Sequence, residues 1–238
     1  IGDQQAALIG HNGLQKNTLA ANYGTSASIQ FNIGPDPKII KGLISSILFS
    51  NSKKRVFMIE GTINSCSNVF YYLEKKFNIN HNAMNWNERV KNIKTDGIFI
   101  PGFSGIASPY WKSGFEDISI NLDCNINQTI RAAMESIGLL TNDILSCLKK
   151  NKFNIDNELI VAGGSAKPSL LQFIADVTEK HVHLTKLKDK TAYGVLKILL
   201  NQVGRVSNIK LNEKEHFLPK IRYKSKIEKW HKTINDFL

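Results

Sequence analysis

The chain has 238 residues, of which 42% are hydrophobic and 21% are charged, and its formal net charge is +11. This composition excludes a disordered or low-complexity chain, and the length suffices for one large domain with a buried core. No apolar run approaches the roughly 20 residues that span a bilayer. Three cysteines without CxxC spacing argue against a disulfide framework or a zinc site and favour a reducing compartment.

The hydrophobic pattern predicts a first helix at 3–9, with Asp3 as its N-cap. Alternation over 19–33, broken by a glycine-threonine turn, predicts a hairpin. The other predicted elements are a strand at 55–59, a helix at 65–77, a short strand at 97–100, a helix at 129–150, a strand at 158–162, and helices at 170–179 and 191–203. Strands that alternate with amphipathic helices predict a layered α/β domain.

Two glycine-containing turns are candidate anion sites. At the first turn, the backbone could approach an anion at Gly24, and the Thr25 hydroxyl is an additional donor. The second turn, Gly163, Gly164 and Ser165, joins a predicted strand to a predicted helix, where backbone N–H groups and the helix dipole converge. Neither turn matches a Walker loop or a dinucleotide fingerprint. Spacing alone therefore leaves each turn open between an anion site and a structural turn.

Asp3 is the candidate for acid–base chemistry. A carboxylate at a helix start could accept the proton of an attacking hydroxyl, or it could simply cap the helix. The positive charge of the chain is spread out, with some concentration between residues 210 and 232. Such a run is read first as a solvated face, and otherwise as a contact with an acidic partner lobe, a nucleic acid or a membrane surface.

Several short segments follow one another in a characteristic order along the chain. They are GDQQAAL at 2–8, KNT with NYGT within 16–25, IEG at 59–61, PGFSGIASPYW at 101–111, IRAAMESI at 130–137, GGSA with QFIAD within 163–176, TAYG at 191–194, and a tail with Phe217 and Trp230. In this order the segments resemble the FGGY carbohydrate kinase family, and within it the glycerol-kinase type. The segment at 101–111 is very close to the family's P-A-F-S-G-L-x-A-P-Y-W.

This resemblance implies an actin-like, ribonuclease-H-like ATPase lobe of α/β type, with a mixed sheet flanked by helices. Residues 1–238 would be the C-terminal nucleotide-binding lobe of a two-lobed cytoplasmic kinase. ATP and Mg²⁺ would be its cofactors, and its acceptor a small polyol or sugar, without nucleic acid or membrane contact. The N-terminal lobe would be a partner that this sequence, which starts at Ile1, does not contain. We expect the isolated chain to be inactive, and a homo-oligomer is compatible with the family.

The resemblance also assigns site residues. Asp3 would be the catalytic base and would also lie near the metal of Mg·ATP, and Gln4 would lie beside the same acceptor. The residues implied for the nucleotide are Gly24, Thr25, Gly61, Gly163, Gly164 and Ser165.

Five pocket positions depart from the family pattern. Ser26 replaces a glycine, Ser28 a phenylalanine that packs on the acceptor, Ser67 a glycine, Tyr71 a glutamine, and Ala162 an aspartate. Each lost hydrogen-bonding partner costs about 1–3 kcal/mol of binding. Two hypotheses therefore stay open: a kinase lobe with glycerol 3-phosphate as the parent product, and a degenerate, non-catalytic remnant that acts as an interaction domain. A basic nucleic-acid-binding domain is a third reading, for which no recognition motif is present.

Overall fold

The computed structural model of the chain describes residues 1–122, 125–185, 189–204 and 214–237. The helices are α1 (Asp3–Gly10), α2 (Ser67–Lys76), α3 (His81–Met84), α4 (Trp86–Val90), α5 (Ile126–Lys150), α6 (Pro168–Thr178), α7 (Lys190–Gln202) and α8 (Lys224–Phe237). The strands are β1 (Leu19–Tyr23), β2 (Ala27–Gly34), β3 (Ile44–Ser50), β4 (Arg55–Ile63), β5 (Ile98–Ile100), β6 (Ile118–Ile120), β7 (Glu158–Ala162), β8 (His181–Thr185) and β9 (Lys214–Phe217). None of these helices combines the length and the apolar character needed to cross a membrane.

Seven strands form one sheet in the order β3-β4-β2-β1-β7-β8-β9, and β5 pairs with β6 in a separate small sheet. The pairs β1–β7 and β7–β8 are parallel, and the other neighbours in the large sheet are antiparallel. The predicted hairpin is confirmed, since β1 and β2 pair from Leu19 with Phe31 to Tyr23 with Ala27. The sheet is therefore mixed, and helices cover it, as the α/β prediction requires.

The two faces of the sheet carry different helices. On one face, α5 packs closely, with Ile144 against Gly61 of β4 and Thr141 within 3.1 Å of the Tyr23 hydroxyl. On the other face, α1 lies over β2, where the buried Gln30 side chain donates to the backbone oxygen of Gln4 at 2.9 Å. Successive residues of a strand point to opposite faces, so β1 and β2 bring the core and the candidate site into one hairpin.

The long helix α5 organises the core. The Asn125 side chain caps it by accepting from the backbone N–H groups of Asn127 and Gln128, and Lys149 and Lys150 lie in its last turn, where the helix dipole favours cations. It begins three residues before the predicted start at 129, and its predicted end at 150 is observed. A capped helix of this length gives the sheet a continuous apolar face to pack against.

Helices α1 and α7 cross at backbone contact. A methyl group added at Gly194 would overlap the carbonyl oxygen of Ala6, and one added at Gly10 would overlap that of Lys190. Glycine at both positions permits this close approach, which holds α1, and with it Asp3, against the sheet.

A buried carboxylate anchors the C-terminal helix α8. Asp143 of α5 accepts from the Tyr110 hydroxyl at 2.8 Å, the Trp230 indole N–H at 2.7 Å and a ring nitrogen of His231 at 2.7 Å. The Trp230 side chain is fully buried. The carboxylate thus ties α8 to the long helix and to the loop that contains Tyr110.

Part of the basic C-terminal run is structural, which corrects its interpretation as a solvated face. Lys226 is buried, pairs with Glu135 at 2.7 Å and donates to the Thr95 and Gly97 carbonyl oxygens at 3.1 and 2.5 Å. Most of the other basic side chains of α8 are exposed. Residues 210–213 of that run lie outside the described residues.

Several boundaries differ from the prediction. Asp3 is not the N-cap of α1: the helix begins at Asp3, and the cap position is Gly2, without a side-chain cap bond. Helix α6 begins two residues early because Pro168 suits the first turn, and it ends before Glu179, whose φ of 55° is left-handed. The strands β3, β6 and β9 and the helix α8 were not predicted, because their solvent-facing residues obscure the hydrophobic period.

Candidate functional site

The candidate site forms around one backbone carbonyl in the turn between β1 and β2. The Gly24 oxygen accepts from the Ser67 N–H, at the start of α2, at 3.1 Å, and from the Ser165 hydroxyl at 3.0 Å. The Ser165 N–H also donates to the Tyr23 oxygen at 2.9 Å. The two glycine turns that the sequence singled out are therefore in direct contact, together with the first residue of α2. We call this assembly the Gly24 junction.

The glycines of the second turn have different surroundings. Gly163 has a φ of +110°, and a Cβ there would overlap the Tyr23 carbonyl oxygen, so the close approach of the two turns requires glycine. A Cβ at Gly164 would meet no atom within 4 Å. Gly164 is therefore an exposed stretch of backbone in the second turn, and the Thr25 side chain in the first turn is exposed as well. An anion could be held there by backbone N–H groups and a hydroxyl.

Asp3 and Gln4 lie at the start of α1, on the sheet face opposite α5. Both side chains are exposed. The Gln30 amide donates to the backbone oxygen of Gln4 and, at 3.1 Å, to the side-chain oxygen of Gln4. The Asp3 carboxylate does not cap the helix, and within the described parts of the chain it makes no hydrogen bond or ion pair that would compete with a catalytic role.

Ser28 lies on the same face of β2 as Gln30, one side-chain repeat nearer to the junction. It is buried, and its hydroxyl donates to a carboxylate oxygen of Glu60 at 2.6 Å. The position where the family resemblance implies an apolar wall is therefore occupied by a hydroxyl–carboxylate pair. The sequence singled out Ser28 but did not identify Glu60 as its hydrogen-bond partner, because the pairing register of β2 with β4 decides which side chains meet.

Next to the junction is a cavity of about 290 Å³ between α2, α3, α4 and the start of α6. Its lining residues are Ser67, Phe70, Tyr71, Glu74, His81, Asn82, Met84, Asn85, Trp86, Asn87 and Lys167. The two departures Ser67 and Tyr71 thus line one space, together with residues that the sequence did not identify. The only available signal was the density of aromatic and Asn residues between 70 and 87.

The structure separates Gly61 from the other predicted nucleotide residues. Gly61 is buried in the middle of β4, and a Cβ there would come within 2.5 Å of the Ile144 side chain of α5. Glycine at 61 lets α5 approach the sheet, and its nucleotide role stays a prediction. Two further departures from the family pattern have clear places in the structure. Ala162 is the buried last residue of β7 and pairs with Asn22 of β1. The backbone oxygen of Ser26 accepts from the Gly24 N–H at 2.9 Å.

The cysteine nearest the junction is inert. Cys66 is buried at the N-cap of α2, and burial raises the pKa of its thiol to about 12. Cys66 and Cys147 are free thiols, and Cys124 lies outside the described residues. Across the described ranges, no three His, Cys, Asp or Glu side chains are arranged to hold a metal ion.

Comparison with known proteins gives a family model, described as the FGGY family of carbohydrate kinases, C-terminal domain, which matches residues 19–200. The glycerol kinase of Mycoplasma genitalium is 26% identical over 251 residues, which cover 98% of this chain and 49% of that protein. A glycerol kinase of Clostridium botulinum is 30% identical over 199 residues, which cover 81% of this chain and 40% of that protein. The chain spans about half the length of the curated relatives it matches.

Solved structures show the same relation. Plasmodium falciparum glycerol kinase with ADP superposes with a TM-score of 0.79 at 24% identity, over 100% of this chain and 50% of that one. A xylulose kinase from Lactobacillus acidophilus superposes with a TM-score of 0.77 at 18% identity, over 95% and 47% of the two chains. These likenesses confirm the predicted fold, a sugar-kinase lobe of the actin-like ATPase type.

Proposed function

The chain belongs to the FGGY family of carbohydrate kinases, and on this premise we propose that residues 1–238 are the C-terminal, nucleotide-binding lobe of an ATP-dependent kinase for a polyol or sugar hydroxyl. The observation that carries the proposal is the Gly24 junction. Phosphoryl transfer depends mainly on positioning and charge stabilisation, and a glycine turn beside a hydroxyl and a helix start supplies both.

We assign the phosphates of ATP to the accessible backbone at Gly164 and the Thr25 hydroxyl. Gly163 and Ser165 hold the turn in place, since the first permits the close approach and the second bonds to the Gly24 oxygen. Mg²⁺ is typically held by one or two carboxylates together with substrate phosphates, and Asp3 fits as such a carboxylate. Bound Mg²⁺ would neutralise charge on the transferring group.

We assign the acceptor to the face of β2 next to α1. There Asp3 would take the proton of the attacking hydroxyl, and Gln4, held by Gln30, would orient the same molecule. Glycerol is the first acceptor to test, because the curated relatives compared above are glycerol kinases. The Ser28–Glu60 pair would offer a more polar acceptor a further hydrogen bond.

We further propose an N-terminal lobe as the partner that completes the acceptor pocket. Its basis is the length of the relatives, which is about twice that of this chain. Such a kinase would work in the cytoplasm, where ATP is supplied. The isolated chain is then expected to bind nucleotide but to turn over little glycerol, and association with further copies of itself stays a prediction.

The test is a calorimetric titration of the purified chain with Mg·ATP. Saturable binding is expected, at least tenfold weaker in Thr25→Ala and unchanged in Ser52→Ala, an exposed hydroxyl in the turn between β3 and β4. Asp3→Asn should weaken Mg·ATP binding less than Thr25→Ala does, because it removes one proposed Mg²⁺ ligand and leaves the proposed phosphate contacts in place. If the folded chain bound no ATP at millimolar concentration, the proposal would be refuted, and the non-catalytic remnant would be favoured.

A further inference from the structure

The cavity beside the Gly24 junction is walled by two stacked aromatic pairs. The rings of Phe70 and Trp86 stack with centroids 4.4 Å apart at an interplanar angle of 5°. The rings of Tyr71 and His81 stack with centroids 5.6 Å apart at 21°. The first pair belongs to the core, since Phe70 is buried, whereas 47% of the Tyr71 surface is exposed. The second pair is therefore available to a ligand.

The orientation of the exposed pair is fixed from one side. The His81 ring nitrogen Nδ1 lies 2.9 and 3.1 Å from the two carboxylate oxygens of Glu74, which is three residues after Tyr71 on the same helix. Glu74 is thus a positioning residue that holds the His81 ring along the Tyr71 ring. The result is a stacked aromatic pair at the edge of the cavity, held by α2 and α3.

This aromatic pair is next to the proposed phosphate site. Ser67 lines the cavity, and its N–H is bonded to the Gly24 oxygen, while Lys167, also a lining residue, follows Ser165 by two positions. A ligand whose phosphates lie at Gly164 could therefore extend from the junction into the cavity.

We propose that Tyr71 and His81 form the platform on which the base of the nucleoside triphosphate stacks, and that the chain consequently accepts purine and pyrimidine donors with similar affinity. This inference rests on the proposed function, because it concerns the same nucleotide. Stacking discriminates weakly among bases, since every base has a π face, whereas a hydrogen-bonding side chain reads the edge of one base. A tyrosine at 71, where the family resemblance implies glutamine, exchanges the second kind of contact for the first.

The experiment titrates the purified chain with the Mg²⁺ complexes of ATP, GTP, CTP and UTP. The four dissociation constants are expected to lie within about tenfold of one another, with the larger purines tighter. Tyr71→Ala should weaken all four by about tenfold or more, and Tyr71→Phe should stay within about threefold, because it keeps the ring. Lys75→Ala, an exposed change on α2 outside the cavity lining, is the matched control and should change nothing.

Two results would overturn the inference while leaving the proposed function intact. One is ATP binding more than 100-fold tighter than the other three nucleotides. The other is equal binding by Tyr71→Ala and Tyr71→Phe while Thr25→Ala still weakens ATP binding. A folded chain that binds none of the four nucleotides would overturn both proposals together. Far-ultraviolet circular dichroism of each variant establishes that it is folded.

Discussion

Substitutions at the two adjacent glycines of the second turn, Gly163 and Gly164, test the stability of the Gly24 junction and its ligand binding independently. Gly163→Ala should destabilise the chain, because alanine at a φ of +110° is strained and its methyl group would overlap the Tyr23 oxygen. Such backbone strain costs about 1–3 kcal/mol. The Ser165 N–H bond to the same oxygen would be displaced, which adds about 1 kcal/mol.

The summed effect is a loss of about 2–4 kcal/mol in the free energy of unfolding, measured by urea denaturation. For a chain of this length, each 1 kcal/mol lowers the melting temperature by roughly 2–4 °C, so a decrease between roughly 4 and 16 °C is expected. Gly164→Ala is the control, because its added methyl group meets no atom within 4 Å. Its melting temperature should stay within about 2 °C of the original.

Mg·ATP binding should be sensitive to a substitution at Gly164, although the stability of the fold is not. If phosphates approach the backbone there, the methyl group of Gly164→Ala occupies their space and weakens Mg·ATP binding without unfolding the chain. Equal melting temperatures for the two variants would refute the packing argument. Undiminished ATP binding by Gly164→Ala would refute the placement of the phosphates at this turn.

Three further predictions concern the core and the C-terminal helix. Asp143→Ala should cost about 3–5 kcal/mol in urea unfolding, since it leaves the buried Trp230 N–H and two other donors without their acceptor; a loss below 1 kcal/mol would contradict this. The hydrogen bond to Asp143 raises the pKa of His231, so this contact stabilises the fold most below the unfolded pKa of about 6.5 and less as pH rises through the folded value. The stability difference between the original chain and His231→Gln should therefore shrink from pH 5.5 to 9, and a constant difference would argue against it. Finally, Cys66 should resist alkylation at pH 8 in the folded chain, as followed by peptide mass mapping, whereas the half-buried Cys147 should react sooner.

The sequence predicted the elements whose hydrophobic period is strong. The β1–β2 hairpin and α5 both bury a regular face, and both are observed where the pattern indicated. Helix α8 was missed because its buried side includes Lys226, which a pattern of apolar residues cannot distinguish from a surface lysine. Tertiary packing brings Glu135 of α5 and the Thr95 and Gly97 carbonyl oxygens to the ammonium group, which explains why that lysine is inside.

The same limit applies to the site. Both glycine turns and Asp3 were identified from local chemistry and from resemblance, because each lies within one short segment. The contact of the two turns through the Gly24 oxygen depends on the parallel pairing of β1 with β7, which no local pattern encodes. Gly61 illustrates a related ambiguity: a glycine required by a neighbouring helix looks the same in sequence as one required by a ligand.

The departures from the family pattern do not disturb the junction, because its bonds are made largely by the backbone. Ser67 contributes only its N–H to the Gly24 oxygen, so any non-proline residue preserves that bond. The replaced side chains lie instead around it: Tyr71 lines the cavity, and Ser28 faces Glu60 on the acceptor side. Substitution at these places leaves the atoms proposed to hold phosphate intact. Glycine at 163, where alanine is strained, is required by the fold in a kinase lobe and in a folded non-catalytic remnant alike, so nucleotide binding by the chain is the observation that decides between the two.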